Sequence, residues 1–199
     1  MQFSCIMTII HYFLGFPPLR SGGMTRYAVD LMQEQVKLGL EVIALYPNMN
    51  FVPFNKKIRF TYQNSYKGIK CYSLKGALPI PLLYGIKDPV DYIIDLSAFD
   101  ETIRSFFLQI KPDVVHVHSL MGLPIEVLQI AKQMGIKTVF TSHDYFGLCP
   151  KVNFINSHGV LCSDIDDDKC SICNACAWPR WMLWIRNSKL MILLKKFKR

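Results

Sequence analysis

The stretch from Pro112 to Pro150 constrains the fold most, because it places one helical period between two β-rich runs. Asp113 to His118 is short and β-branched without clean polar alternation, the pattern of a strand covered on both faces by helices. Leu123, Val127, Ile130, Ala131 and Met134 follow at helical spacing, with Pro124 tolerable in the first turn and Gly135 placed to close the last. Ile136 to Thr141 restores the β pattern. A strand, helix, strand crossover of this kind requires parallel strands. In open parallel sheets ligands bind beyond the carboxyl ends of the strands, which points to His118 and Ser119 and to Ser142, His143 and Asp144.

A second unit of the same kind opens the chain. Ile6 to Leu14 reads as a strand, FPPLRSGG as turn chemistry, and Met24, Tyr27, Ala28, Leu31 and Leu38 as the apolar stripe of a helix that Gly39 ends. Leu40 to Tyr46 is the next strand. Gly22 and Gly23 lack a Cβ, so their amides can approach a ligand closely, and the positive end of a helix favours phosphate or carboxylate. Arg26, one turn on, suits a phosphate or a solvated surface equally. A tight turn needing positive φ explains either glycine taken singly, and neither GxGxxG nor GK[ST] is present.

Between the two units, Pro47 to Lys57 reads as a surface connection. Ile58 to Gln63 and Ile69 to Leu74 form an expected hairpin at the sheet edge, and Gly76 to Pro89 is a proline- and glycine-rich loop without an assignable element. Ser97 with Asp100 resembles a capping box opening a helix with Phe99, Ile103, Phe106, Phe107 and Ile110 inward, stopped at Lys111-Pro112. The expected fold is α/β, a doubly wound, mainly parallel Rossmann-like sheet with helices on both faces, plus a cysteine-rich loop and a C-terminal helix.

Charge decides which partners fit. Of the net +8, seven cations and no acid lie from Arg180 onward, and the rest of the chain holds 16 basic against 15 acidic residues. A nucleic-acid face across the fold is therefore unsupported, whereas the basic, apolar tail suits an anionic membrane surface or a further domain. Phe3 to Phe16 lacks a basic flank and a cleavage site, and no apolar run reaches the length of a membrane span, so the expected location is the cytoplasm, with peripheral contact at the inner membrane face. Five of seven cysteines fall between Cys149 and Cys176, which in a reducing compartment suggests metal or free thiols. Cys162, Cys170, Cys173 and Cys176 follow a C-x7-C-x2-C-x2-C pattern that suits tetrahedral structural zinc, with Cys149 as an alternative ligand. An iron–sulfur site lacks the rest of its pattern, and the acidic run from Ser163 to Asp168 argues against a nucleic-acid-binding zinc module.

SGGMTRYAVDL after the first strand, KPDVVHVHS at the central strand and VFTSHDYFGLCP at the next together resemble the N-terminal domain of family 4 glycosyltransferases, retaining enzymes with two facing Rossmann-like domains. The resemblance implies that residues 1–150 form the acceptor-side domain, 151–178 a cysteine-rich insertion and 179–199 a basic apolar C-terminal helix. It also implies that the donor-binding domain is absent, since none of Glu34, Glu41, Glu101 and Glu126 has a second glutamate eight positions on, as the family's donor site does. By the same resemblance Gly22 and Gly23, with Arg26, face the donor diphosphate. His143 sits near the transferred sugar and donates to a hydroxyl or to developing charge, Asp144 orients it, and His118, Ser119 and Tyr145 line the cleft. His116 reads as a deeper core histidine. The implied function is transfer from a UDP- or GDP-sugar to a glycan or lipid-linked acceptor in cell-surface polysaccharide synthesis. No cofactor is needed for that transfer, and a separate donor-binding domain completes the enzyme. The other reading is a non-catalytic module that binds nucleotide or glycan.

Overall fold

A computed structural model describes residues 6–48, 58–88 and 99–188, together with Met191 and Leu194. Six strands form one sheet: β1 Thr8–Tyr12, β2 Glu41–Pro47, β3 Arg59–Tyr62, β4 Lys70–Lys75, β5 Val114–Val117 and β6 Lys137–Phe140. The order is β3-β4-β2-β1-β5-β6, and every pair is parallel except the β3–β4 hairpin. The hairpin thus lies at one edge as expected, with β4 inside the sheet against β2. The connections run outward in opposite directions from β1, so the topological switch point falls between β1 and β5.

Alternation along β1 sends Ile10 and Tyr12 to one face and His11 and Phe13 to the other. On the first face α2 (Asp100–Ile110) and α3 (Ile125–Gln133) bury Ile103, Phe106, Phe107, Val127, Ile130 and Ala131 against Ile10, Tyr12, Leu45, Val115 and Val117. Phe60 stacks on Phe106 with ring centroids 4.0 Å apart, a contact whose truncation to alanine costs roughly 3–5 kcal/mol. On the second face α1 (Gly23–Lys37) covers Phe13, Val42, Ala44 and Cys71.

Two details differ from the sequence reading. The buried stripe of α1 is Thr25, Ala28, Val29 and Met32, whereas Tyr27 is half-exposed and Leu38 is 78 % exposed. Both flanks of this helix are apolar, and the sheet takes the flank that carries the small Ala28. The helix α2 begins at Asp100 with Phe99 at its N-cap and no side-chain cap, so no capping box opens it within the described residues, and Ser97 lies outside them. The connection expected at Pro47 to Lys57 also lies largely outside them.

The C-terminal part does not stand away from the domain. Helix α4 (Asp167–Asn174) places Asn174 so that its Oδ1 accepts from the Ile86 amide, and α5 (Arg180–Asn187) buries Leu183 to 2 % exposure. Trp178 packs on Tyr84 with centroids 4.1 Å apart, and the Arg186 guanidinium lies 4.3 Å from the Tyr84 ring. Asn187 donates to the Ile80 carbonyl at 3.0 Å and accepts from Arg20 Nη2 at 2.6 Å. Those bonds seat Arg180–Asn187 on its own domain, and most of the basic tail beyond it lies outside the described residues. No helix among the described residues is long and apolar enough to cross a membrane.

Candidate functional site

The loops after β1, β5 and β6 meet at one rim because these strands are parallel and adjacent. After β1 the chain reaches Gly22 with φ 122° and ψ 174°, a conformation that only glycine adopts without strain. Gly23, by contrast, starts α1 at negative φ, and a Cβ built on it would meet nothing within 4 Å. Neither backbone strain nor packing therefore requires glycine at position 23. The first turn of α1 contains no acid, and Gly22 supplies no side-chain cap, so the positive helix end has no compensation from its own first turn.

Tyr27, one turn further, brings this loop to the histidines: its ring centroid is 5.0 Å from that of His143 and 5.9 Å from that of His118. His143 is exposed at the end of β6 and Ser142 is its exposed neighbour. Behind His143 lies a polar chain that the sequence did not suggest. His118 Nδ1 is 3.4 Å from His143 Nε2, His118 Nε2 is 3.0 Å from His11 Nδ1, and His11 Nε2 is 2.7 Å from Gln35 Oε1. His116 pairs its Nε2 with Thr141 Oγ1 at 2.8 Å and packs its ring 4.2 Å from that of His118. Register explains the group: His11 and His116 are partners across β1 and β5, and His118 follows on the same face.

Burial lowers all four imidazoles from the usual histidine range. Desolvation, then His116, brings His11 to about 4, and desolvation, then the three neighbouring imidazoles, brings His118 to about 3. His116 is lowered by desolvation and then by His143, and His143 by desolvation against an opposing pull from Asp144. At neutral pH the cluster is uncharged.

Other expected site residues fall differently. His118 is 1 % exposed and does not line the open cleft, because α1 and Tyr27 cover it, while His116, expected deeper, is half-buried. Ser119 is buried and its Oγ accepts from the Met121 amide, a turn contact. Asp144 Oδ1 accepts from the Phe146 amide at 2.9 Å, which fixes the turn after β6. Tyr145 is half-exposed against Phe154. Arg26 is exposed and pairs with Asp30, one turn on at 3.7 Å, a solvated pair of little energetic weight.

Cys149, Cys162, Cys170, Cys173 and Cys176 are free thiols in this structure. Cys170 and Cys173 lie on α4, and the Cys162 thiol is held above its ordinary range by desolvation and then by Cys149, Cys173 and Cys170. Cys149, the alternative ligand of the sequence reading, is among the groups that act on Cys162, and Cys176 is exposed. Among the described residues no three thiols lie within 4.8 Å of one another, so the arrangement as it stands is not a closed tetrahedral site.

A family model, Glycosyltransferase Family 4, matches residues 21–159. The chain belongs to glycosyltransferase family 4. The match takes in the glycine loop, the β5 histidines, His143 and Cys149. An uncharacterized 42.6 kDa protein in the cps region of Klebsiella pneumoniae is 30 % identical over 97 residues, which are 48 % of this chain and 24 % of that protein. Among solved structures, α,α-trehalose 6-phosphate synthase from Burkholderia multivorans aligns with TM-score 0.39 and 12 % identity over 69 % of this chain and 32 % of that one. Sucrose-phosphate synthase from Thermosynechococcus elongatus aligns with TM-score 0.34 and 14 % identity over 68 % and 32 %. This family 4 chain thus spans about a quarter to a third of the length of the proteins it resembles.

Proposed function

We propose that this chain is the acceptor-side half of a retaining glycosyltransferase, which transfers a sugar from a UDP- or GDP-sugar to a glycan or lipid-linked acceptor in the synthesis of a cell-surface polysaccharide. The observation that carries the reading is Gly23: a helix-opening glycine with ordinary φ and open space around its Cβ, beside His143 across Tyr27. Glycine there is accounted for by a ligand that approaches the backbone, and the first-turn amides of α1 suit the diphosphate of a nucleotide sugar. As the leaving group departs, negative charge grows on that diphosphate, and fixed amide dipoles stabilise it without reorganising. His143, neutral at pH 7 and exposed beside the same helix end, is proposed to contact the transferred sugar or the incoming hydroxyl. Asp144 acts through the turn that holds His143, and Tyr145 offers an aromatic wall nearby.

Turnover on this reading needs a donor-binding domain from another segment or chain. We also propose structural zinc at Cys162, Cys170, Cys173 and Cys176, with Cys149 as an alternative ligand; metal binding would draw together thiols that the structure holds apart. The experiment is co-expression of the chain with a family 4 donor-binding domain, followed by a screen of UDP- and GDP-sugars for hydrolysis and transfer. Turnover that His143→Ala abolishes while the melting curve stays unchanged is the expected result. A complex that binds nucleotide sugar but transfers equally well without the imidazole removes His143 from the reaction.

A further inference from the structure

Three imidazoles and one amide form a continuous chain from beneath α1 to the open rim, Gln35, His11, His118 and His143, with the His116 ring packed at a tilt beside that of His118. The ligand nitrogens of His11, His116 and His118 lie within 4.8 Å of one another, which invites a metal. Ring geometry argues otherwise. The His11 and His118 planes are 14° apart with centroids 5.3 Å apart and facing nitrogens 3.0 Å apart, the in-line arrangement of an N–H···N bond. A metal needs lone pairs that converge on one point, and here two of them face each other across a single proton.

We propose that Gln35 and His11, acting through His118, hold His143 in its Nε2–H tautomer and leave its Nδ1 as an acceptor. The direction of the chain follows from one atom. Gln35 Oε1 can only accept, so His11 donates to it from Nε2. A neutral imidazole carries one proton, so His11 Nδ1 accepts, and the proton between the rings belongs to His118 Nε2. His118 Nδ1 is then a lone pair, and His143 donates to it from Nε2. Burial keeps a second proton off His11 and His118 at neutral pH. The chain ends on an amide oxygen, which does not take up a proton in this range, so it fixes where protons sit and does not conduct them. His116, bonded to Thr141, stays outside the chain and braces the His118 ring.

The consequence for chemistry is a reversal of the donor role expected from the sequence. Neutral His143 receives at Nδ1, a nitrogen without a hydrogen-bond partner among the described residues, so it suits a hydroxyl that gives up a hydrogen bond or a proton. The use of that nitrogen in transfer rests on the function proposed above; the tautomer itself does not. Gln35 and His11 are positioning residues.

The test is a long-range ¹H–¹⁵N spectrum of the ¹⁵N-histidine-labelled chain at pH 7 without substrate, which reports the protonated nitrogen of each ring. Single Nε2–H signatures for His11, His118 and His143 are expected. Gln35→Leu should move His143 to a population-averaged signature, while Gln35→Glu, which keeps an oxygen acceptor, should retain the wild-type one. An Nδ1–H or averaged His143 in the wild type overturns the proposal, as does an unaltered His143 in Gln35→Leu. If Gln35→Leu does not fold, the wild-type and Gln35→Glu spectra still decide. Loss of the transfer reading with these signatures intact would leave the tautomer assignment standing.

Discussion

Replacing Gly23 by alanine separates a ligand-driven glycine from a fold-driven one. The position opens α1 at negative φ with nothing within 4 Å of the added methyl, so the fold accepts alanine. The loss of unfolded-state freedom then stabilises the chain by about 0.4–1 kcal/mol. For a domain of this size that raises Tm by about 1–4 °C. Gly22→Ala behaves oppositely, because φ 122° and ψ 174° cost alanine about 1–3 kcal/mol. If the diphosphate lies against the α1 amides, the methyl at 23 displaces it and loses one hydrogen bond to a charged group, about 1.5–3 kcal/mol, or roughly ten- to 150-fold in transfer rate. The assay pairs thermal melting of the chain with the transfer rate of its two-domain complex. A Gly23→Ala protein that is more stable and transfers normally refutes the diphosphate assignment, and one that melts lower refutes the claim of open space.

Two further outcomes are expected. Burial brings His11 to about 4 and His118 to about 3 in the fold against about 6.5 unfolded, so between pH 6 and pH 4 the unfolded chain holds between one and two more protons than the native one. Stability should therefore fall with falling pH by roughly 2 kcal/mol per unit over that window, measured by urea unfolding, and His11→Phe should reduce the slope; equal slopes would refute the burial argument. Elemental analysis of chain purified without chelator should find close to one zinc, lost when Cys162 and Cys170 are both replaced by serine; an ordered loop free of metal would reject the zinc site.

Local chemistry was legible where local periodicity decided the structure. The two β-α-β units, the parallel strands and the rim residues follow from β-branched runs, helical spacing and glycines such as Gly39 and Gly135, both at positive φ at helix ends. What the sequence hid depends on register. Nothing in TIIHY says that His11 will lie opposite His116, and nothing in the α1 pattern says that Gln35 will reach beneath the helix to meet it. The one available signal was a polar ring inside a fully buried strand, which always demands a partner. The docking of α5 was hidden for a similar reason: its site is the loop around Tyr84, whose shape depends on Gly85 at φ 72° lying against Asn174.

The bond between Arg20 and Asn187 ties two distant parts of the chain into one mechanical unit. Arg20 precedes the glycine pair by two residues, so a pull on α5 is felt where the helix α1 begins. Trimming the protein ahead of Arg180 would uncover Ile80 and Tyr84 and slacken the anchor of the glycine turn, so a shortened version that still folds should not be taken as a faithful stand-in for ligand measurements.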